Sequence, residues 1–121
     1  MSERPILLLV EDDAALVDSL SFAFELEGFQ VKACFLPETL LAMSLPFDGA
    51  CLVIDLNLPG MDGIALLDTL RARGVTLPAI LITTHPTAQT RSDAAARGVP
   101  IVEKPLLTDA LLQTVRDRLA A

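Results

Sequence analysis

The stretch Cys51-Leu-Val-Ile-Asp55-Leu-Asn57-Leu-Pro59-Gly60-Met-Asp62-Gly63 decides how the chain folds. Residues Ala50 to Ile54 are short and continuously apolar, the pattern of a strand buried on both faces of a parallel sheet. Pro59, Gly60 and Gly63 punctuate the loop that follows, so Asp55 stands at the strand's carboxyl end. In open α/β sheets those ends line the crevice where ligands bind, which makes a charge there a candidate for use. A single Asp at a strand end is most often a turn cap, so the weight falls on what accompanies it.

Working outward, the same alternation of strand and helix recurs. Pro5 to Val10 reads as a first buried strand that stops at Glu11-Asp12-Asp13. Asp13 is placed to cap a helix whose apolar stripe is Leu16, Val17, Leu20 and Phe24, closed by Gly28. Phe29 to Phe35 gives a second strand, and Pro37 opens a short helix through Met43. Beyond the central stretch, Asp62 caps a helix carrying Ile64, Leu66, Leu67 and Leu70 inward, with Gly74 at its end. Pro78 to Thr83 is the fourth strand and Pro100 to Glu103 the fifth. A final helix starts at Thr108 with Leu111, Leu112, Val115 and Leu119 on one face. The helix between, about Thr87 to Arg97, is built from alanines among polar residues. It buries little area and is expected to be loosely held.

Five such units predict right-handed crossovers and a parallel sheet covered by helices on both faces. The expected fold is therefore a single doubly wound (βα)5 α/β domain over residues 1–121, flavodoxin-like, with strand order 2-1-3-4-5. That order separates Cys34 from Cys51 by two inter-strand spacings, roughly 9.5 Å, beyond the ~7 Å a disulfide spans. Both cysteines are expected as small buried hydrophobes.

Composition narrows the function. Apolar residues make up 52% and charged residues 21%, which suits a packed core. A net charge of −7 argues against direct contact with nucleic acid, which needs clustered cations. The N-terminus is too short and too soon charged for a signal peptide or membrane span, so a cytoplasmic protein is expected.

The chemically suggestive residues each follow a strand: Glu11 and Asp12 the first, Asp55 and Asn57 the third, Thr83 the end of the fourth, Lys104 the fifth. The topology brings them to one edge. Two like charges ~4 Å apart repel by about 4 kcal/mol at an effective dielectric of ~20, so crowded carboxylates need a cation among them. Lys104 is one candidate and magnesium the other, with Asp12 and Asp55 as carboxylate ligands and the Asn57 backbone carbonyl in reach. A carboxylate can also attack phosphorus to give an acyl phosphate, and Thr83 and Lys104 could neutralise the transferred group.

Four motifs together resemble the receiver (CheY-like) domain of bacterial two-component response regulators. They are Val10-Glu11-Asp12-Asp13, Ile54-Asp55 through Gly63, Leu81-Ile-Thr83-Thr84 and Glu103-Lys104-Pro105. The Leu-Pro-Gly-Met-Asp-Gly loop looks most like regulators of the FixJ and NarL type. The resemblance implies Asp55 as phosphoacceptor, Glu11 and Asp12 as the acidic pair that binds magnesium, Thr83 as the switch hydroxyl and Lys104 as the phosphate-contacting lysine. It also implies a cis Lys104-Pro105 bond, and a phosphohistidine on a sensor histidine kinase or phosphotransfer protein as the donor. The output would be a shift of the surface formed by the fourth helix, fifth strand and fifth helix, which acts on a downstream protein effector and could also support a homodimer. One family feature is absent: Ile101 stands where Tyr or Phe commonly swings inward, and Leu106 where Phe often follows Lys-Pro.

Each residue also has a plain reading: Asp12 as a helix N-terminal acid, Lys104 as a surface lysine, Thr83 as a strand former, His85 as a solvated loop residue. Two rival functions remain. One is a magnesium-dependent phosphatase with an aspartyl nucleophile, which wants a second Asp where this chain has Asn57. The other is a phosphorylation-independent adaptor with the same fold, a reading encouraged by Ile101. The resemblance would make the chain a signalling domain and not a metabolic enzyme, either a single-domain regulator or the front of a longer one.

Overall fold

A computed structural model describes residues 4–121. In chain order the elements are β1 (Ile6–Val10), α1 (Ala14–Leu26), β2 (Gln30–Cys34), α2 (Pro37–Leu41) and β3 (Ala50–Asp55). They continue with α3 (Gly63–Ala72), β4 (Ala79–Thr83), α4 (Ala88–Ala96), β5 (Ile101–Glu103) and α5 (Thr108–Ala120). All strand pairs are parallel and the order is β2-β1-β3-β4-β5, as the alternation of patterns predicts.

The apolar runs are continuous because the sheet is covered on both sides. Leu8, Val10, Leu52, Ile54 and Leu81 face Leu40 of α2, Leu66, Leu67 and Leu70 of α3, and Ala94 of α4. The intervening residues Leu7, Leu9, Val53, Ile80 and Ile82 face Val17, Leu20 and Phe24 of α1 and Leu111, Leu112 and Val115 of α5. Every residue of β3 is buried, and burial of one such side chain stabilises by about 1.5–3 kcal/mol. Register places Val10, Ile54 and Leu81 side by side, so the residues that follow β1 and β3 emerge together at one edge.

The caps at Asp13 and Asp62 fall where the sequence puts them, while Thr87, expected as a first helical residue, is instead the cap of α4. Asp13 accepts from the N–H groups of Ala15 and Leu16, Asp62 from Ala65, and the Thr87 hydroxyl from Thr90. Several boundaries differ from expectation, and β1 and β4 begin at Ile6 and Ala79, each one residue inside the expected proline. β2 is shorter than Phe29–Phe35: the Phe29 N–H bonds back to the Phe24 carbonyl past Gly28 at φ +91°, and the two rings meet edge to face at 5.1 Å. α2 ends at Leu41, with Ala42 and Met43 in its closing turn. β5 begins at Ile101, because Pro100 has no N–H to give to a ladder.

Cys34 and Cys51 are free and buried, and they lie in the two cores on opposite faces of the sheet. That separates them more decisively than strand spacing alone. Of α4 only Ala94 is buried. The helix is tied down by ion pairs instead: Arg97 grips Asp68 of α3 with contacts of 2.7 and 2.8 Å, and Arg91 meets Glu103 of β5 at 2.7 Å. No helix of the described residues is long and apolar enough to cross a membrane.

Candidate functional site: an acidic cluster with one ammonium

The edge at the carboxyl ends of β1, β3, β4 and β5 gathers the residues singled out from sequence. β1 runs straight into Glu11, whose N–H bonds to the Cys34 carbonyl, and its side chain is fully buried. Glu11 Oε1 accepts from the N–H of Asp13, while Asp12 stays exposed. Asp55, at the end of the buried β3, is itself buried. One carboxylate oxygen from each of Glu11, Asp12 and Asp55 lies within 4.8 Å of the other two.

Lys104 closes the cluster. Its backbone N–H bonds to the Thr83 carbonyl at 2.8 Å, extending the pairing of β5 with β4 and aiming the side chain back across the edge. Lys104 Nζ lies 3.1 Å from Asp55 Oδ2 and 3.0 Å from Glu11 Oε2. The first contact is a well-directed hydrogen bond; the second is an ion pair by distance only, and it leaves Glu11 Oε2 buried without a hydrogen-bond partner. The Lys104-Pro105 peptide bond is cis.

These distances set the protonation chemistry. Burial pushes the Glu11 carboxyl up to about 7, and the nearby Asp55 charge adds to the rise against the opposing pull of Lys104. For Lys104, burial alone would lower the ammonium's pKa, but Glu11 and Asp55 together hold it above its ordinary value. One cation thus serves two buried carboxylates.

Thr83 is buried, and its Oγ1 accepts from Asn57 Nδ2 at 3.4 Å. The Asn57 backbone N–H donates to Asp55 Oδ1 at 3.0 Å, a contact the sequence did not announce, since Asn57 attracted attention for its carbonyl. Both oxygens of Asp55 are therefore oriented, one by Asn57 and one by Lys104. His85 is exposed and stands with Asn57, Thr83 and Asp62 around a cleft of about 480 Å3 beside Asp55.

Gly63 is the other residue that sequence reading undervalued. Its N–H bonds to the Leu56 carbonyl, and a Cβ added to it would lie 2.7 Å from the Asp55 carbonyl oxygen and 3.0 Å from the Leu56 Cα. Only glycine lets the first turn of α3 press against the end of β3. Gly63→Ala is expected to lower stability by about 1–3 kcal/mol through forced backbone displacement, as read from urea unfolding.

The oxygen-only donor set and the orphaned Glu11 Oε2 fit a hard divalent cation such as magnesium, which favours carboxylate, carbonyl and water oxygens. Among the described residues no Cys or His joins the cluster to favour a softer metal.

Comparison with known proteins identifies the family and the fold. Residues 7–116 match the model of the response regulator receiver domain. FixJ, a transcriptional regulatory protein of Azorhizobium caulinodans, is 32% identical over 117 residues, covering 96% of this chain and 56% of FixJ. The C4-dicarboxylate transport transcriptional regulatory protein DctD of Rhizobium meliloti is 34% identical over 118 residues, covering 96% of this chain and 25% of DctD. The chain thus spans about half of the one relative and a quarter of the other. Among solved structures, the crystal structure of FixJ-N superposes with a TM-score of 0.86 at 27% identity, covering 98% of this chain and 96% of that one. A CheY-like receiver domain from Methanospirillum hungatei, 23% identical, shares the fold with a TM-score of 0.88 over 98% of this chain and 95% of its own. With the family match over residues 7–116 and the shared sheet topology, the chain belongs to the response regulator receiver domain family, the signalling modules of two-component systems.

Proposed function

We propose that Asp55 is the phosphoacceptor of this receiver. A carboxylate oxygen of Asp55 attacks the phosphorus of a phosphohistidine on a sensor histidine kinase or phosphotransfer protein. The new P–O bond forms as the P–N bond breaks, and the electron pair leaves with the imidazole. The observation that carries this reading is the convergence on one buried carboxylate of an ammonium at 3.1 Å, a backbone N–H at 3.0 Å and two further acids within 4.8 Å.

Glu11, Asp12 and Asp55, with the Asn57 carbonyl, would hold magnesium, which when bound supplies charge neutralisation for the incoming phosphoryl oxygens. Lys104 contacts the phosphoryl group after transfer and Thr83 donates its hydroxyl to it. The added group brings up to about two negative charges that these donors must meet. Drawing Thr83 inward releases it from Asn57 and tugs the segment leading into α4. That helix is held by ion pairs between largely exposed groups, worth about 1 kcal/mol or less each, so it can shift together with β5 and α5. Ile101 is half-buried under Arg91 and Ala94 and has no ring to swing, so α4 itself carries the change to a protein effector or a second copy.

Intact-mass measurement after incubation with magnesium and acetyl phosphate tests the assignment. The wild-type protein should gain the mass of one phosphoryl group, and both Asp55→Asn and metal chelation should abolish the gain. Consumption of donor without an adduct would point to the phosphatase. An inert wild-type protein would point to the adaptor, the reading Ile101 favours.

A further inference from the structure

Phe47 has 95% of its surface in water, the largest exposure of any large apolar side chain among the described residues. It sits in the loop between α2 and β3, at the rim of a cavity of about 200 Å3 whose walls include Leu41, Met43, Leu45 and Val75. A cavity of about 150 Å3 already has room for benzene, so this one has room for a phenyl ring. Its own Phe47 does not fill it. An aromatic knob beside a hole with several aliphatic walls is self-complementary under a two-fold axis, because each copy can place its knob in the other's hole.

The charges obey the same symmetry. Arg73 lines the cavity, where one of its guanidinium N–H groups donates to the Leu41 carbonyl at 2.7 Å, and Asp48 follows Phe47; both are exposed, and neither forms an ion pair within the chain among the described residues. A cation and an anion on one patch satisfy each other when that patch meets its own copy. A chain of net charge −7 otherwise resists association with itself, so a locally balanced face is where two copies can approach.

We infer that two copies of this chain associate through the α2–β3 loop and the end of α3, with Phe47 of each seated in the other's cavity and Arg73 facing the partner's Asp48. This contact is separate from the surface of α4, β5 and α5 and needs no phosphoryl group.

Sedimentation velocity of the 121-residue chain over a dilution series tests it. Wild type should show a reversible monomer–dimer equilibrium, and Phe47→Ser should weaken it by about tenfold or more, as expected for an aromatic anchor. Asp48→Arg and Arg73→Asp should each weaken dimerisation, and the double reversal should restore it. Arg91→Glu, on α4, should leave it unchanged. A wild type that stays monomeric at its highest soluble concentration overturns the proposal. So does a Phe47→Ser variant that dimerises like wild type, or a dimer abolished by Arg91→Glu alone. Phe47 is too exposed for its loss to disturb folding, which thermal melts of each variant check.

Discussion

Glu11→Gln is expected to stabilise the magnesium-free protein by up to about 3 kcal/mol above neutral pH, and to destabilise it relative to wild type once magnesium is added. The Glu11 carboxyl is raised from 4.5 to about 7 in the folded chain, and each pKa unit corresponds to about 1.4 kcal/mol. A group with a raised folded pKa contributes stability that is complete below its unfolded value and lost as pH rises through the folded one. Wild type and Glu11→Gln should therefore be equally stable near pH 4.5, because glutamine mimics the protonated acid. They should diverge through the window from 4.5 to about 7 and differ by a constant amount above it. Magnesium reverses the order because the cation binds the ionised carboxylate, and tight binding to the native state adds stability by mass action. Wild-type magnesium affinity should accordingly fall as pH drops below about 7. Urea titrations across pH, with and without metal, read all of this; parallel curves for the two proteins at every pH would refute the buried charge.

The fold was legible because its signals are redundant. Five consecutive apolar residues, Ala50 to Ile54, read as a strand covered on both faces, and two helix starts, at Asp13 and Asp62, carry a side-chain cap in the sequence itself. The boundaries that moved did so where tertiary contact overrode local pattern. Phe29 looks like a strand residue but turns inward to meet Phe24, a partner five residues away across a helix end. The ion pairs that hold α4 were invisible for a similar reason. Arg97 and Asp68 are 29 positions apart, and nothing local in either residue's surroundings names the other.

The site divides along the same line. That Glu11, Asp12, Asp55, Thr83 and Lys104 share an edge follows from topology, because each ends a strand or follows one. Which of them is buried does not. Glu11 and Asp12 are adjacent and chemically alike, yet the first, directly after β1, is buried and the second, one residue further out of the sheet, lies in water. The closeness of Gly63 to the Asp55 carbonyl is likewise a property of how α3 packs; from sequence it is one more loop glycine.

Lys104→Ala should move stability, metal affinity and phosphorylation in different directions, and that divergence separates a shared site from a set of neighbours. Removing the ammonium leaves two buried carboxylates, 0 and 3% exposed, with no cation between them. Loss of one partner from a buried ion pair costs about 3–5 kcal/mol, and the cost is expected at or below the lower end here because the Lys104 side chain keeps 21% exposure. The deficit should shrink in mild acid, where Glu11 takes up a proton more readily without the opposing lysine. Magnesium should bind more tightly than in wild type, since a second cation no longer competes for Glu11 Oε2 and Asp55 Oδ2, and saturating metal should recover much of the lost stability. Phosphoryl incorporation from acetyl phosphate should nonetheless fall, because no ammonium remains to meet the transferred group. Calorimetric titration of the metal and intact mass measure the two sides. If Lys104→Ala weakened magnesium binding, the ammonium would be supporting the metal's ligands and not sharing their charge, and the arrangement proposed for Glu11, Asp55 and Lys104 would have to be abandoned.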